Sequence, residues 1–198
     1  MLLARGRGDW GRCMAILGAH MSIAGGYFKA VEAAHRCGCD CVQLFTKNNN
    51  QWRAKEISQD DVMRFRTALK ELRVSHPIAH DSYLINLASP DNRLWKRSIA
   101  AFIDELKRCE MLGLDYLVAH PGAHIDSGEL EGIGRIAEAI DLICQETGEL
   151  RVKIALETTA GQGTTLGYRF EQLRDILGAS RYAEWLTICL DTCHVFSA

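Results

Sequence analysis

Four apolar stretches of this chain each end in a side chain that can bind a metal ion. The four terminal residues are His80, His120, Glu157 and Asp191, and they lie 40, 37 and 34 residues apart in the sequence. Each interval leaves room for a loop, a helix and another strand, because the crossover between parallel strands requires about a dozen residues or more. The spacing therefore predicts repeated βα units, a fold of the α/β class.

The segments between these stretches extend the same pattern over the whole chain. Six apolar runs, the first ending at His20, alternate with five segments that carry apolar residues at helical spacing. The carboxyl ends of parallel strands in such a fold gather on one face, which is where barrel enzymes carry their active sites. We predict a (β/α)8 TIM barrel with about six strands and five helices in these 198 residues, since a whole barrel typically needs about 250.

The amino-terminal sequence and the composition predict the domain boundaries and the cellular compartment. Residues 1–13 contain three arginines and no apolar core of a secretory signal, so we predict a disordered leader followed by a single, incomplete barrel domain at residues 14–198. Eight cysteines without framework spacing and no bilayer-length apolar run favour the reducing cytoplasm. A net charge of −2 gives no global basic field, so a nucleic-acid partner would have to be attracted locally.

The predicted cluster of side chains has the chemistry of a metal site. One histidine at a strand end is more often structural than a ligand, but four successive strand ends reverse that expectation. Imidazole and carboxylate ligands suit zinc, manganese or iron. Several such ions can activate water at neutral pH and stabilise the attacking and leaving oxygens of a phosphodiester. These residues indicate either metal-assisted hydrolysis or a metal-dependent isomerisation.

Two loops carry the residues that we predict to contact a substrate. The loop after the second strand contains Asn48, Asn50, Gln51 and Trp52, and the loop after the third contains Tyr83. Amides can hydrogen-bond phosphates, and an aromatic ring can stack on a sugar or base. An ordinary polar loop with Trp52 as its hydrophobic anchor explains the first pattern equally well.

Six motifs occur in a characteristic order along the chain. They are GAH at 18–20, FTKNNNQWRA at 45–54, HDSYLINLA at 80–88, HPGAH at 120–124, ETTAGQGTTLG at 157–167 and LDTCHVF at 190–196. Together they resemble the endonuclease IV family of zinc-dependent apurinic/apyrimidinic endonucleases, over residues 16–198. The resemblance implies a DNA-repair enzyme that hydrolyses the phosphodiester 5′ to an abasic site and leaves a 3′-hydroxyl. A metal-bound hydroxide would be the nucleophile.

The resemblance also implies a site that holds three zinc ions. His80 and His120 would hold the first zinc, and Glu157, the residue that we predict to be catalytic, would bridge it to the second. Asp191 would bind the second zinc and His194 the third. The family often has a basic residue in the loop after the second strand, at the position where this chain has Asn50.

Two alternatives to an active endonuclease stay open. A sugar isomerase or epimerase of similar barrel architecture also gathers Glu, Asp and His around divalent metal. The endonuclease family takes four further ligands from its seventh and eighth strand regions, which would lie beyond Ala198, so the chain could instead be a catalytically incomplete fragment. The implied partner is duplex DNA with abasic sites, with no membrane and no obligate protein partner. A bacterial protein of this kind would act at the nucleoid.

Overall fold

The structure, a computed structural model, contains one parallel sheet whose strands follow the order of the sequence. It describes residues 15–198, so the predicted leader at 1–13 lies outside the described residues. The strands are β1 (Gly18–His20), β2 (Cys41–Phe45), β3 (Ser75–His80), β4 (Tyr116–Ala119), β5 (Lys153–Glu157) and β6 (Leu186–Cys189). Every neighbouring pair is parallel. This winding is that of a TIM barrel and confirms the predicted fold class.

Helices fill the intervals between the strands. They are α1 (Tyr27–Arg36), α2 (Gln59–Glu71), α3 (Asn92–Leu112), α4 (Glu129–Thr147), α5 (Phe170–Ala179) and α6 (Thr192–Ser197), with a 3₁₀ turn at Ala183–Trp185. The first five were predicted. Helix α6 was not, because its six residues span fewer than two turns and cannot show an apolar period.

Local signals in the sequence define the ends of two helices. Ser58 and Asp61 form the predicted capping box, in which the Ser58 hydroxyl accepts a hydrogen bond from the Asp61 amide and the Asp61 carboxylate accepts one from the Ser58 amide. Gly113 ends α3 in the left-handed conformation, with φ 79° and ψ 41°. Its amide donates to the Cys109 carbonyl, which satisfies a group that the helix end leaves without a partner.

The apolar faces of two helices show where the pattern succeeds and where it fails. In α4 the whole predicted stripe is buried: Ile133, Ile136, Ile140 and Ile143. In α5 the predicted stripe began at Phe170, which is 60% exposed, and the buried apolar positions are Leu173 and Ile176. Phe170 opens the helix and lines a surface groove with Ile188 of β6, beside the edge of the sheet.

The two faces of the sheet bury very different amounts of apolar surface. Along β4, Leu117 and Ala119 belong to the large core beneath the helices, whereas Val118 faces the opposite way. Val118 joins Ile78 and Ala155 in a small cluster on the concave face. The helix side therefore supplies most of the hydrophobic stabilisation, and the concave side is left to polar chemistry.

Strands β1 and β6 are each paired on one side only within the described residues. Large apolar side chains stand exposed beside them, with Leu17 65%, Leu190 56% and Phe196 91% accessible.

Among residues 15–198, no helix combines the length and apolarity needed to cross a bilayer. The seven cysteines in this range are all free thiols.

Candidate metal centre

Three of the predicted ligands meet on the concave face of the sheet. His80 and Glu157 are the last residues of β3 and β5, and His120 directly follows β4. The residue two positions before each of them belongs to the small inner cluster, and side chains alternate along a strand, so all three point inward. The Nε2 atoms of His80 and His120 lie 3.1 and 3.0 Å from the same Glu157 oxygen, Oε2.

A second group of ligand atoms shares Glu157 with the first. Glu157, Asp191 and His194 offer atoms that all lie within 4.8 Å of one another, as do those of the first group. Asp191 was expected at the end of strand six, but β6 ends at Cys189 and Asp191 lies two residues further on. It is the N-cap of α6, where its Oδ1 accepts a hydrogen bond from the His194 amide at 2.9 Å.

Backbone carbonyls fix how two of the histidines present their rings. His80 Nδ1 lies 2.9 Å from the Asp81 carbonyl oxygen, and His194 Nδ1 lies 2.8 Å from the Thr158 carbonyl oxygen. A carbonyl only accepts, so Nδ1 must donate, and in a neutral ring Nε2 then carries a lone pair. For His80 that lone pair faces the carboxylate of Glu157, and two acceptors so close repel unless a proton or a cation lies between them. The donor set thus fits a divalent ion, whose histidine ligands are usually oriented in this way.

The charge state of Glu157 also suits metal binding. Burial raises the pKa of Glu157, but hydrogen bonds from His120 and His80 and their charge outweigh it and lower the pKa to about 2. Burial lowers the pKa of His80, and its contacts with Glu157 and Asp81 reverse that into a rise. A carboxylate that stays ionised at neutral pH is what ligation requires, and a bound cation would replace the proton that it shares with its neighbours.

Two residues that support the site were missed by sequence reasoning. The Thr158 hydroxyl accepts a hydrogen bond from the Asp191 amide at 2.8 Å, so Thr158 holds both ligands of the β6 side. Asp81 is buried, and its carbonyl orients His80. Each follows a predicted ligand directly in the sequence. That adjacency was the available signal, because the residue after a strand-end ligand still lies at the site, where its carbonyl or its side chain can contact the ligands.

The residues predicted to contact a substrate differ in their exposure and in their contacts with this centre. Tyr83 is 60% exposed, and its ring centroid lies 5.4 Å from that of His80 and 6.3 Å from that of His120. Trp52 is only partly exposed, packs against the main core and has the Arg97 guanidinium 4.2 Å above its ring. The loop's predicted amide side chains are exposed: Asn48, Asn50 and Gln51.

A buried polar network holds both ends of this loop to α3. Glu105 accepts a hydrogen bond from the Thr46 hydroxyl, and its Oε1 lies 3.5 Å from Lys47 Nζ, with both charged side chains almost wholly buried. Arg108 donates to the Thr46 carbonyl at 2.8 Å and to the Lys55 carbonyl at 3.0 Å. Breaking a buried charge pair on one side costs about 3–5 kcal/mol, so these contacts define one loop conformation.

Known proteins share both the fold and much of the sequence. A family model described as xylose isomerase-like TIM barrel matches residues 31–198. The probable endonuclease 4 of Citrifermentans bemidjiense is 46% identical over 185 residues, which cover 93% of this chain and 65% of that protein. The crystal structure of endonuclease IV from Thermus thermophilus matches with a TM-score of 0.80 at 34% identity, over 91% of this chain and 64% of that one.

The sugar-epimerase alternative has a weaker likeness. A D-psicose 3-epimerase structure matches with a TM-score of 0.65 but only 16% identity, over 91% of this chain and 65% of that one, which shows the common fold alone. The chain spans a little under two thirds of the length of the endonuclease relatives given above. The resemblance seen in the six motifs is confirmed: the chain belongs to the xylose isomerase-like TIM-barrel family and is a homologue of the probable endonuclease 4 proteins.

Proposed function

We propose that this chain carries the site of a DNA-repair endonuclease that hydrolyses the phosphodiester 5′ to an abasic site in duplex DNA and leaves a 3′-hydroxyl. The observation that carries the proposal is the pair of ligand groups that share Glu157 at the carboxyl ends of parallel strands. The likeness to proteins named probable endonuclease 4 supports the same chemistry.

The ligands of the candidate centre fit zinc. His80, His120 and Glu157 would hold one ion, and three protein ligands with an open position are typical of catalytic zinc. Asp191, with Glu157, would serve a second ion, and His194 would serve a third. Zinc bound there would act as a Lewis acid that lowers the pKa of water and neutralises charge on the phosphate oxygens.

The protein's own groups prepare that chemistry. Glu157 remains ionised because two imidazoles surround it, and the carbonyls of Asp81 and Thr158 keep the rings of His80 and His194 in a ligating orientation. Burial of the carboxylate on the concave face keeps bulk water from weakening these interactions. These side chains would therefore hold the metal ions in place, and both ligand groups depend on Glu157.

Contact with DNA is assigned to the loops above the strand ends. The exposed side chains of Asn48, Asn50 and Gln51 would hydrogen-bond phosphate or base edges. Tyr83 stands beside the histidines, where its ring would pack against the gap left by a missing base. Trp52 would contact DNA through the part of its side chain that the core leaves exposed.

A nicking assay tests the proposal. The chain, loaded with zinc, is incubated with a duplex that carries one abasic site, and the cut strand is tested for extension by a DNA polymerase, which requires a 3′-hydroxyl. We expect cleavage that disappears on chelation and returns with zinc. Turnover of a ketohexose without cleavage of abasic DNA would instead identify a sugar epimerase.

A further inference from the structure

A surface groove lies between the loop that follows β2 and the first turns of α3. It encloses about 770 Å³ and is lined by Trp52 and Arg53 on the loop side and by Arg93, Arg97 and Asp104 on the helix side. We refer to it as the arginine groove. None of the predicted metal ligands lines it, so it is a separate feature of the molecule.

The charges in the arginine groove are not balanced within the described residues. Arg53, Arg93 and Arg97 are exposed, and among residues 15–198 none of their side chains forms an ion pair or a hydrogen bond. The acidic residue of the groove, Asp104, lies 3.8 Å from the buried Lys47 ammonium, which takes up part of its charge. An otherwise acidic chain thus concentrates three cations on one concave surface.

The arrangement of two of these cations is unfavourable without a ligand. Arg93 and Arg97 are one helical turn apart on the same side of α3, and like charges at that spacing repel. Arg97 is in addition held by its contact with the Trp52 ring, which restricts how far it can move from Arg93. An anion bound between them removes the repulsion, and guanidinium groups match phosphate in geometry.

The position of the groove relates it to the candidate metal centre. The helices return antiparallel to the strands, so the first residues of α3 lie at the end of the molecule where the strands terminate. The Ser82 hydroxyl, two residues after His80, donates to the Asn49 carbonyl at 2.6 Å and joins the loop of the groove to the loop of the site. A long polyanion that reaches the centre can continue across this surface.

We propose that the arginine groove binds the phosphate backbone of the duplex that flanks the cleaved position. Arg93 and Arg97 contact successive phosphates, and Arg53 closes the other side. The inference rests on the proposed function only for the identity of the polyanion. These contacts add affinity without reading sequence, and they lie outside the metal-dependent step.

The salt dependence of DNA binding tests the groove. The parent chain, R93A and the double variant R93A/R97A are titrated, at concentrations where the chain stays monomeric, with a fluorescent abasic duplex of about three helical turns at several salt concentrations. Each phosphate contact that is lost reduces the slope of log K against log salt by about 0.9, so we expect a fall of about 1.8 for the double variant. K107A is the matched control, because Lys107 is an exposed cation on the same helix outside the groove.

Two further measurements keep the outcomes distinct. R97K retains the charge, so its salt slope should stay close to that of the parent. If Arg97 acted only by packing its guanidinium against Trp52, R97K would lose binding as an alanine variant does. An unchanged slope in R93A/R97A would overturn the groove while leaving the proposed function intact if the parent still prefers abasic to undamaged duplex. If the parent shows no such preference, the proposed function fails, and the slopes measured on undamaged duplex still decide the groove.

Discussion

The middle strands of the sheet and its two edge strands carry different parts of the candidate site. Strands β3, β4 and β5 are paired on both sides and supply His80, His120 and Glu157. Within residues 15–198 strand β6 is paired on one side only, and the connection after it supplies Asp191 and His194, both partly exposed. The central group of candidate ligands therefore comes from the ends of strands that are paired on both sides, whereas the edge group depends on Glu157 for its connection to the core.

Replacing the shared carboxylate should have the largest effect on zinc content and cleavage, and it tests the difference between the central and the edge ligand groups. Because Glu157 belongs to both groups, E157Q should lose zinc from both and lower cleavage of abasic DNA by about 100-fold or more. D191N should leave the central group loaded and lower zinc content only in part. Metal analysis of the purified chains measures both effects, with E138Q on the exposed face of α4 as control. Equal zinc loss in E157Q and D191N would remove the distinction between centre and edge.

Truncation of two phenylalanines compares the stability that the centre and the edge contribute. Phe102 on α3 is fully buried in the main core, so F102A should lower the free energy of unfolding by about 3–5 kcal/mol. Phe196 on α6 is 91% exposed, so F196A should change it by less than about 0.5 kcal/mol. Urea denaturation provides the values. A loss of several kcal/mol in F196A would mean that the edge is packed in solution.

The unpaired edges should also affect the oligomeric state. In the part of the chain that the structure describes, the outer edges of β1 and β6 have no strand partner and carry adjacent apolar side chains. Such edges invite pairing with another chain, so we expect a polypeptide of this sequence to self-associate. Charges at the edges, in L17K/F196K, should weaken association by about tenfold, which corresponds to roughly 1.4 kcal/mol. L130K is the control, since Leu130 is 85% exposed but lies on α4. Sedimentation equilibrium of a monodisperse monomeric parent would contradict the prediction.

A smaller effect than that of F102A is expected from an ion pair that joins the centre to the edge. Asp141 on α4 accepts hydrogen bonds from Ser180 and Arg181, in the segment that leads to β6. Burial raises its pKa, and these hydrogen bonds outweigh that and lower it, so its stabilisation is present above the ordinary pKa of aspartate and lost as pH falls through the depressed folded-state pKa. D141N should cost about 1 kcal/mol at pH 7 and less at an acidic pH below the ordinary pKa of aspartate.

Denaturation at both pH values measures this difference. D175N is the matched control, because Asp175 is more exposed and, among residues 15–198, pairs only with its neighbour Arg174. An identical loss in D141N at both pH values would show that the contact acts through packing and not through charge.

The predictability of the site follows the same division between centre and edge. His80, His120 and Glu157 could be predicted because an apolar strand that ends in a ligand is visible in the sequence, and alternation along the strand decides the direction of the side chain. Asp191 was placed at a strand end, but it caps a helix too short to leave a pattern. The local pattern thus identifies a ligand at or directly after a strand end and misplaces one that caps a short helix after the strand.

The contacts of the loop that follows β2 could not be predicted by any local pattern. Thr46 and Glu105 are 59 residues apart in the sequence, and Thr46 and Arg108 are 62 apart. Glu105 and Arg108 occupy buried positions of α3, where a sequence pattern expects apolar side chains. Only the packing of α3 against the loop brings these groups together and satisfies them.

That buried network has a consequence for the speed of recognition. Glu105 and Arg108 hold the loop at Thr46 and Lys55 before any ligand arrives, and the same helix carries Arg93 and Arg97. The two walls of the arginine groove are therefore already in register, and the arrival of a duplex removes little conformational freedom from the chain. Because the binding surface is already formed before DNA binds, the rate of association should be governed by diffusion and electrostatic attraction, with no slow ordering step.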